Sequence, residues 1–489
     1  GCAFLDYDAD GWPDLVFAGE GRCALYRNAG NGAFTDVTAD SGLPRSGRWV
    51  GVAAADYDND GYPDLLLNGF GCLRLLHNRG GRGFEDVTRA MGLDPSAVLP
   101  GGAPAFGTSA AWGDFDRDGW LDLYVCRYVA FPPGAEAFCR SQSGHLQTCN
   151  PDRYAPQRGL LYRSDRGRRF LDVTARLGAD QAHGKAWGAL FFDADGDGWP
   201  DLYVANDEEP GDLLHNRSGR GFRNVGAAAG VAYDADGRVH GAMGVDAGDF
   251  NADGRPDLVV TTFVNEPYCL YRGNDGATFT ETALTAGLAQ PTRPYVGWGT
   301  KLFDFDNDGW LDLLFVNGHA TDSDLRPDAR RDMAQPLQLF RNSAGAFTPV
   351  PLGPLSAPLV GRGAAFGDYD NDGFPDVAVV DLEGPALLLH NEQRPTPSRH
   401  WLGLTLRGRR SNRQGLGARV TLRAGARTRV AEAGTGGSVL SSNDPRLCFG
   451  LGDVGQVDEI TIQWPAGGKQ RLLNPPIDRY LEVVEGAHP

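Results

Sequence analysis

Asp6-Tyr7-Asp8-Ala9-Asp10-Gly11-Trp12-Pro13-Asp14, running into Leu15-Val16-Phe17, sets the terms for the whole chain. Acidic side chains fall on alternate residues, a glycine permits a sharp bend, and a further acid closes a nine-residue unit before an apolar strand. The same D-x-D-x-D-G-x-x-D unit starts again at Asp56, Asp114, Asp193, Asp249, Asp304 and Asp368, with Asn251 at the third position of the fifth copy. The separations are 50, 58, 79, 56, 55 and 64 residues. One copy alone is an ordinary surface turn; seven in a common frame define a repeat architecture.

That frame reads as four strands. A Gly/Ala-rich run such as Gly51-Val52-Ala53-Ala54-Ala55 precedes each unit, and an apolar strand such as Leu65-Leu66-Leu67 follows it. A third strand ends near an Asn, as in Leu25-Tyr26-Arg27-Asn28, and a Gly-rich turn leads to a fourth, as in Phe84-Glu85-Asp86-Val87-Thr88. Four-stranded units of about 50 residues suit propeller blades. The fold predicted is all-β: a seven-bladed propeller over residues 1–391, with an insertion at 126–160 in blade 3, and a small β domain over 398–484. Innermost strands converge on the axis, which explains their small residues. An open array of hairpins would leave two sheet edges to be capped. Blade 7 shows no evident fourth strand after Asn391.

Oxygen ligands on alternate residues of a tight loop point to one centre, the arrangement Ca²⁺ requires. In the first copy Asp6, Asp8 and Asp10 supply side chains, Trp12 a carbonyl, and Asp14 closes the cage, with a bidentate carboxylate as the expectation. The same roles fall on Asp56, Asp58, Asp60, Tyr62 and Asp64, and on Asp114, Asp116, Asp118, Trp120 and Asp122. They fall next on Asp193, Asp195, Asp197, Trp199 and Asp201, then on Asp249, Asn251, Asp253, Arg255 and Asp257. The last two sets are Asp304, Asp306, Asp308, Trp310 and Asp312, and Asp368, Asp370, Asp372, Phe374 and Asp376. An EF-hand would place its last acid at position 12 and continue as a helix. Here Pro13, Pro63, Pro200, Pro256 and Pro375 precede the ninth residue and oppose helical continuation. About seven Ca²⁺ ions are therefore expected, with Mg²⁺ disfavoured by the flexible, carboxylate-rich cage.

The formal net charge is −17, and 27 of the 63 acidic residues sit in these loops. The remaining 36 acids face 46 bases, so the acidity belongs to the loops. The balance argues against a nucleic-acid partner or a polybasic membrane surface. No apolar run approaches transmembrane length. The chain opens in what reads as folded sequence, so a trimmed or processed N-terminus is expected. Of eight cysteines, Cys139 and Cys149 lie in the insertion and are expected to pair; the other six read as free thiols in apolar frames. Asn216-Arg217-Ser218 matches a glycosylation acceptor.

Residues 1–391 resemble FG-GAP/VCBS repeat proteins. Residues 398–484 resemble the ASPIC/UnbV module through Ser411-Asn412-Arg413-Gln414-Gly415-Leu416-Gly417-Ala418-Arg419-Val420, Cys448-Phe449-Gly450-Leu451-Gly452 and Trp464-Pro465-Ala466-Gly467-Gly468. The pairing of both parts is similar to the cartilage acidic protein family. The resemblance implies Ca²⁺ in the blade loops and a secreted, periplasmic or cell-surface location. It implies no defined reaction.

The loops opposite the acidic units are unusually polar and are expected to converge on the central mouth. Two functions remain open there. One is a ligand-binding or adhesion scaffold for a small molecule, glycan or protein, with Trp49, Trp187, Glu266, Tyr295, Trp298, Lys301, His319 and Asp322 as contacts. The other is a calcium-dependent enzyme, with His183, His240 or Glu208 in acid/base roles and Lys185 or Arg48 stabilising negative charge.

Overall fold

The computed structural model describes all residues except 95, 97–101, 132–137, 141–145, 321–332, 397–398 and 488–489. The described residues form seven antiparallel sheets that follow the seven acidic units in chain order. The first consists of Cys2–Leu5, Asp14–Gly19, Arg22–Asn28 and Phe34–Asp36, and each acidic unit is the bend between the first and second strands. Six sheets have at least four strands; the seventh has three, Gly361–Gly367, Asp376–Asp381 and Leu387–Leu389, as its sequence suggested. The first strands pack in sequence, Cys2–Leu5 on Trp49–Ala55, on through Gly107–Gly113, Ala186–Phe192, Val245–Gly248 and Gly297–Phe303, to Gly361–Gly367. That last strand packs back on Cys2–Leu5, which closes the wheel.

The small residues of the inner strands are a steric requirement. A Cβ on Gly51 would lie 2.1 Å from the Thr108 carbonyl oxygen of the next blade, and one on Gly188 2.4 Å from that of Met243. The Asn that closes the third strand in five of the seven blades has an equally direct cause; blades 3 and 5 carry Ser164 and Gly273 there. Asn78 Nδ2 donates to the Pro63 carbonyl of its own blade and to the Tyr7 carbonyl of the blade before. Asn216, Asn342 and Asn391 repeat this stitch. Asn28 makes it across the ring closure, to Pro13 and to Tyr369 of blade 7. Asn28→Ala leaves two buried carbonyls unpaired and is expected to cost about 1–3 kcal/mol of stability. An unchanged unfolding midpoint in denaturant would show that this joint is held otherwise. The same geometry removes the glycosylation reading: Asn216 is buried and both its amide hydrogens are engaged.

The C-terminal part is a sandwich. The antiparallel sheet of Arg419–Ala424, Arg427–Glu432, Glu459–Gln463 and Lys469–Leu473 faces a three-stranded sheet. In the latter, His400–Arg407 pairs antiparallel with Leu447–Gly452 and parallel with Tyr480–Val484. Leu402, Leu404, Val420, Ile460, Ile462 and Trp464 lie in its core. The insertion in blade 3 carries a two-stranded hairpin, Phe138–Arg140 with Leu146–Thr148, and the Cys139–Cys149 disulfide. The other six cysteines are free; Cys72 and Cys448 are half-buried rather than buried.

The sandwich sits on the face of the wheel that carries the acidic loops, and its segment 433–446 enters the central channel. Ser442 N–H donates to the Cys2 carbonyl, and the Ser442 carbonyl accepts from Phe4 N–H. Val52 N–H donates to the Leu440 carbonyl and Val245 N–H to that of Ser438. Asn443 Oδ1 accepts from Phe366 N–H. The inner strands present unpaired edges to the axis, and this segment satisfies them. At its tip Val439 and Leu440 pack against Met243, Val296 and Trp298.

Candidate metal centres and the opposite rim

The seven acidic loops share one wiring. The first acid caps the bend: Asp6 accepts from Asp10 N–H and Gly11 N–H at 3.0 and 2.9 Å, and Asp56, Asp114, Asp249, Asp304 and Asp368 do the same. Asp193 accepts instead from Gly196 and Gly198. The fifth acid accepts from the backbone of position 7, as Asp10 does from Trp12 at 3.0 Å. The ninth acid is committed on both oxygens. Asp14 Oδ2 accepts from Tyr7 N–H at 2.9 Å and Oδ1 from Asn28 N–H at 2.7 Å. Asp64, Asp122, Asp201, Asp257, Asp312 and Asp376 are held alike. This bears on the bidentate expectation: the ninth carboxylate staples the loop to the hairpin and has only its second lone pairs to offer a cation.

The third acid differs. Oδ1 of Asp8, Asp116, Asp306 and Asp370 is buried and accepts no hydrogen bond, and the Asp306 residue as a whole is only 4% exposed. Four loops thus hold an orphaned anionic oxygen in one position, which fits a cation centre. The electrostatics agree. Burial first, then neighbouring carboxylates, pushes Asp14, Asp56, Asp257 and Asp376 up to about 8 and Asp312 to about 9. Asp64 and Asp114 rise to about 7 for the same reasons. Such groups are strained as anions and need a positive charge among them.

The sandwich reads these loops directly. Arg419 donates to the Gly254 carbonyl at the sixth position of loop 5, and Arg429 to the Gly309 carbonyl of loop 6. Tyr480 OH donates to Asp368 Oδ2 at 2.8 Å. A cleft of about 520 Å³ lies between the sandwich and blades 1, 2 and 7, lined by residues that include Asp6, Asp56, Arg407, Gln414, Arg446 and Tyr480. Sequence reasoning missed both the plug and this cleft. The signal for the plug was a run of small residues, Gly434-Thr435-Gly436-Gly437-Ser438, around the apolar pair Val439-Leu440.

The opposite rim corrects several expectations. Trp49 is buried in the core between blades 1 and 2 and is no rim contact. Lys301 lies three residues before Asp304, the start of loop 6, and pairs with Asp246 at 3.5 Å, on the sandwich side. The channel behind the mouth is closed by Trp298, whose Nε1 donates to the Gly318 carbonyl, and by the plug tip. Tyr295 packs against the blade 5–6 core. His183 is exposed and bonds the Gln181 carbonyl. His240 is buried between Asp234 and Glu266, each 3.4 Å away. Burial disfavours its charged ring, but Cys269 and Glu266 outweigh that and raise it to about 10. Both ring nitrogens face carboxylates without a hydrogen bond. His319 sits by the Phe263 ring, and Asp322 lies outside the described residues.

A different constellation occupies the rim at blades 3 and 4. Lys185 is buried and lies 3.4 Å from Asp152 and 3.5 Å from Glu209. Tyr128 OH donates to Asp207. Burial, then the adjacent Asp152 carboxyl, raises Glu208 to about 7, and Glu208 holds a left-handed backbone with φ of 55°. Trp187 contacts Tyr128, Phe106 and Trp298, and Phe106 reaches Phe70 and Phe131. Arg48 lies over Phe70. Of this aromatic surface the sequence pointed only to Trp187 and Trp298.

A family model described as an FG-GAP-like repeat matches residues 6–67, 193–260, 249–315 and 304–379, and one described as ASPIC and UnbV matches 408–489. The chain belongs to the FG-GAP-like repeat family and carries an ASPIC and UnbV domain. Its relatives include cartilage acidic protein 1 of Homo sapiens, 26% identical over 403 residues that cover 77% of this chain and 53% of that protein. The Mus musculus protein of the same name is 27% identical over 77% of this chain and 55% of its own. The chain thus spans about half the length of the curated relatives it matches. Similar solved structures include an Agrocybe aegerita lectin described as recognising non-reducing terminal N-acetylglucosamine, at 16% identity and TM-score 0.45, covering 78% of this chain and 86% of that one. Another is YCF48 from Cyanidioschyzon merolae, at 12% identity and TM-score 0.42, covering 80% and 94%. No described helix is long and apolar enough to cross a membrane.

Proposed function

We propose that this chain is a calcium-stabilised, extracellular-type scaffold, with a propeller over residues 1–391 and an ASPIC/UnbV-like domain over 398–484. The carrying observation is the orphaned third-position oxygen, repeated in four loops whose other acids are already bonded to the backbone. The first, third, fifth and ninth side chains and the seventh carbonyl of each unit would hold Ca²⁺, giving about seven sites. Oxygen-only donors at those positions suit a hard cation. The Cys139–Cys149 disulfide suits an oxidising compartment, which is also where calcium is abundant enough for modest sites to fill.

The ligand surface in this reading is the rim around Tyr128, Trp187, Asp207 and Glu208, where aromatic faces and fixed acids lie together above a closed channel. A small molecule, glycan or protein is its occupant. Metal analysis of the protein equilibrated in millimolar CaCl₂ and then desalted tests the metal assignment. About seven calcium atoms per chain are expected; fewer than two would sink it.

A further inference from the structure

One position divides the loops into two kinds. The residue that precedes Asn28, Ser164, Gly273 and Asn342, at the end of the third strand, is Arg27, Arg163, Arg272 and Arg341 in blades 1, 3, 5 and 6. The corresponding residue is His77, His215 and His390 in blades 2, 4 and 7. The two side chains reach different places. Arg27 spans Asp8 and Asp10, and Arg163 spans Asp116 and Asp118, so the guanidinium bridges the third and fifth acids at the exposed lip. The imidazoles sit deeper. His77 Nδ1 is 3.2 Å from both Asp58 and Asp64. His215 Nδ1 is 3.8 Å from Asp195 and 3.1 Å from Asp201, and His390 Nδ1 is 3.9 Å from Asp370 and 3.1 Å from Asp376. In all three the same ring atom lies between the third acid and the fully buried ninth.

A guanidinium only donates, so it never ligates a metal. In the metal-free chain each Nδ1 is hydrogen-bonded to the ninth carboxylate; once a cation displaces that proton, the neutral imidazole offers a lone pair there. Ligand atoms of Asp58, Asp64 and His77 lie within 4.8 Å of one another, as do those of Asp370, Asp376 and His390. Beside His390, the buried Oδ1 of Asp370 has no partner. These loops keep the oxygen donors that suit Ca²⁺, and the added imidazole beside two carboxylates makes a set that also suits a borderline divalent ion. We propose that the loops of blades 2, 4 and 7 form a second class of site, which uses His77, His215 and His390 Nδ1 with the third and ninth carboxylates to bind a transition-metal dication of the Zn²⁺ or Co²⁺ type. The inference rests on the reading that the acidic loops bind divalent cations.

The control is already present in the chain, because arginine occupies the same position in four other blades. The triple variant H77R/H215R/H390R makes all seven blades alike. The whole chain of 489 residues, tag-free and metal-stripped, is titrated with Co²⁺ and followed by its visible d–d absorption, then with Zn²⁺ and with Ca²⁺ by calorimetry. The wild-type chain is expected to bind about three equivalents of Co²⁺ or Zn²⁺ more tightly than the rest. The variant is expected to bind these at least roughly tenfold more weakly, with its Ca²⁺ response retained. Unchanged Zn²⁺ and Co²⁺ binding in the variant overturns the two-class proposal and leaves the calcium reading intact. Absence of any response to Ca²⁺, Zn²⁺ or Co²⁺ in either protein overturns both.

Discussion

Stripping divalent cations from the full chain with EGTA is expected to lower its melting temperature on the order of 10–20 °C. Each loop gathers three or four carboxylates, and burial makes their charged forms unfavourable. A cation that binds only the folded state stabilises it by about 2.7 kcal/mol per independent site at hundredfold excess over its dissociation constant. The pH dependence follows from the raised pKa values. In the metal-free chain burial pushes Asp14, Asp56, Asp257, Asp312 and Asp376 up to about 8 or 9 when folded, against an ordinary aspartate value of about 3.8. Between those limits the folded state binds more protons than the unfolded state, so metal-free stability is greatest below about pH 4 on this account and falls as pH rises towards 8–9. A cation displaces those protons, so its stabilising effect grows over the same range. Scanning calorimetry at pH 5.5 and 8, with EGTA and with CaCl₂, checks both parts. A calcium-induced shift that is absent, or smaller at pH 8 than at pH 5.5, contradicts them.

Arg446→Ala is expected to release the sandwich from blade 7. The guanidinium donates to Asn371 Oδ1 and the Asp368 carbonyl, both at 2.6 Å, and to Asp444 at 2.8 Å, and it lies 4.3 Å from the centre of the Tyr480 ring. Both charged side chains are nearly dry, 13% exposed for Arg446 and 9% for Asp444. Removing one member of such a pair leaves the other charge buried without compensation, a cost of about 3–5 kcal/mol. Asp444 anchors the plug where it leaves the channel, through its N–H to the Phe366 carbonyl. Loss of the arginine should therefore appear as faster amide exchange along 435–444 and on the inner strand Gly361–Gly367. The exchange of the outer strand Phe34–Asp36 should not change. Uniform protection in the variant would mean that the channel segment is held without this anchor.

The wheel was legible because its instructions are local. An alternating acid-glycine unit makes a bend, the residues after it make a strand, and seven copies at similar spacing make seven sheets; each step involves contiguous residues and a short period. The Gly/Ala runs and the strand-end asparagines were equally visible, although the sequence showed only that they recur. The structure supplied the cause: a carbonyl of the next blade within 2.1 Å of a Cβ on Gly51, and a paired stitch at Asn28 that joins blade 1 to blade 7.

The opposite rim was read less well for a physical reason. Sequence gives a residue's distance from the bend but not which way its side chain turns: Trp49, at the mouth end of its strand, packs into the core, and Lys301, near the bend, faces Asp246 on the sandwich side. The plug was further still from sequence reach. Its contacts join residues more than 430 positions apart, as between Cys2 and Ser441, and no periodicity marks a run of small residues as the filling of a channel. Sequence by itself determined the seven bends, the strand pattern and the acids they carry, because short-range turn and strand chemistry fixes these. Tertiary structure alone decided which nitrogen faces which carboxylate, what fills the axis and which rim side chains meet, because those depend on the closure of the ring and the docking of a distant segment.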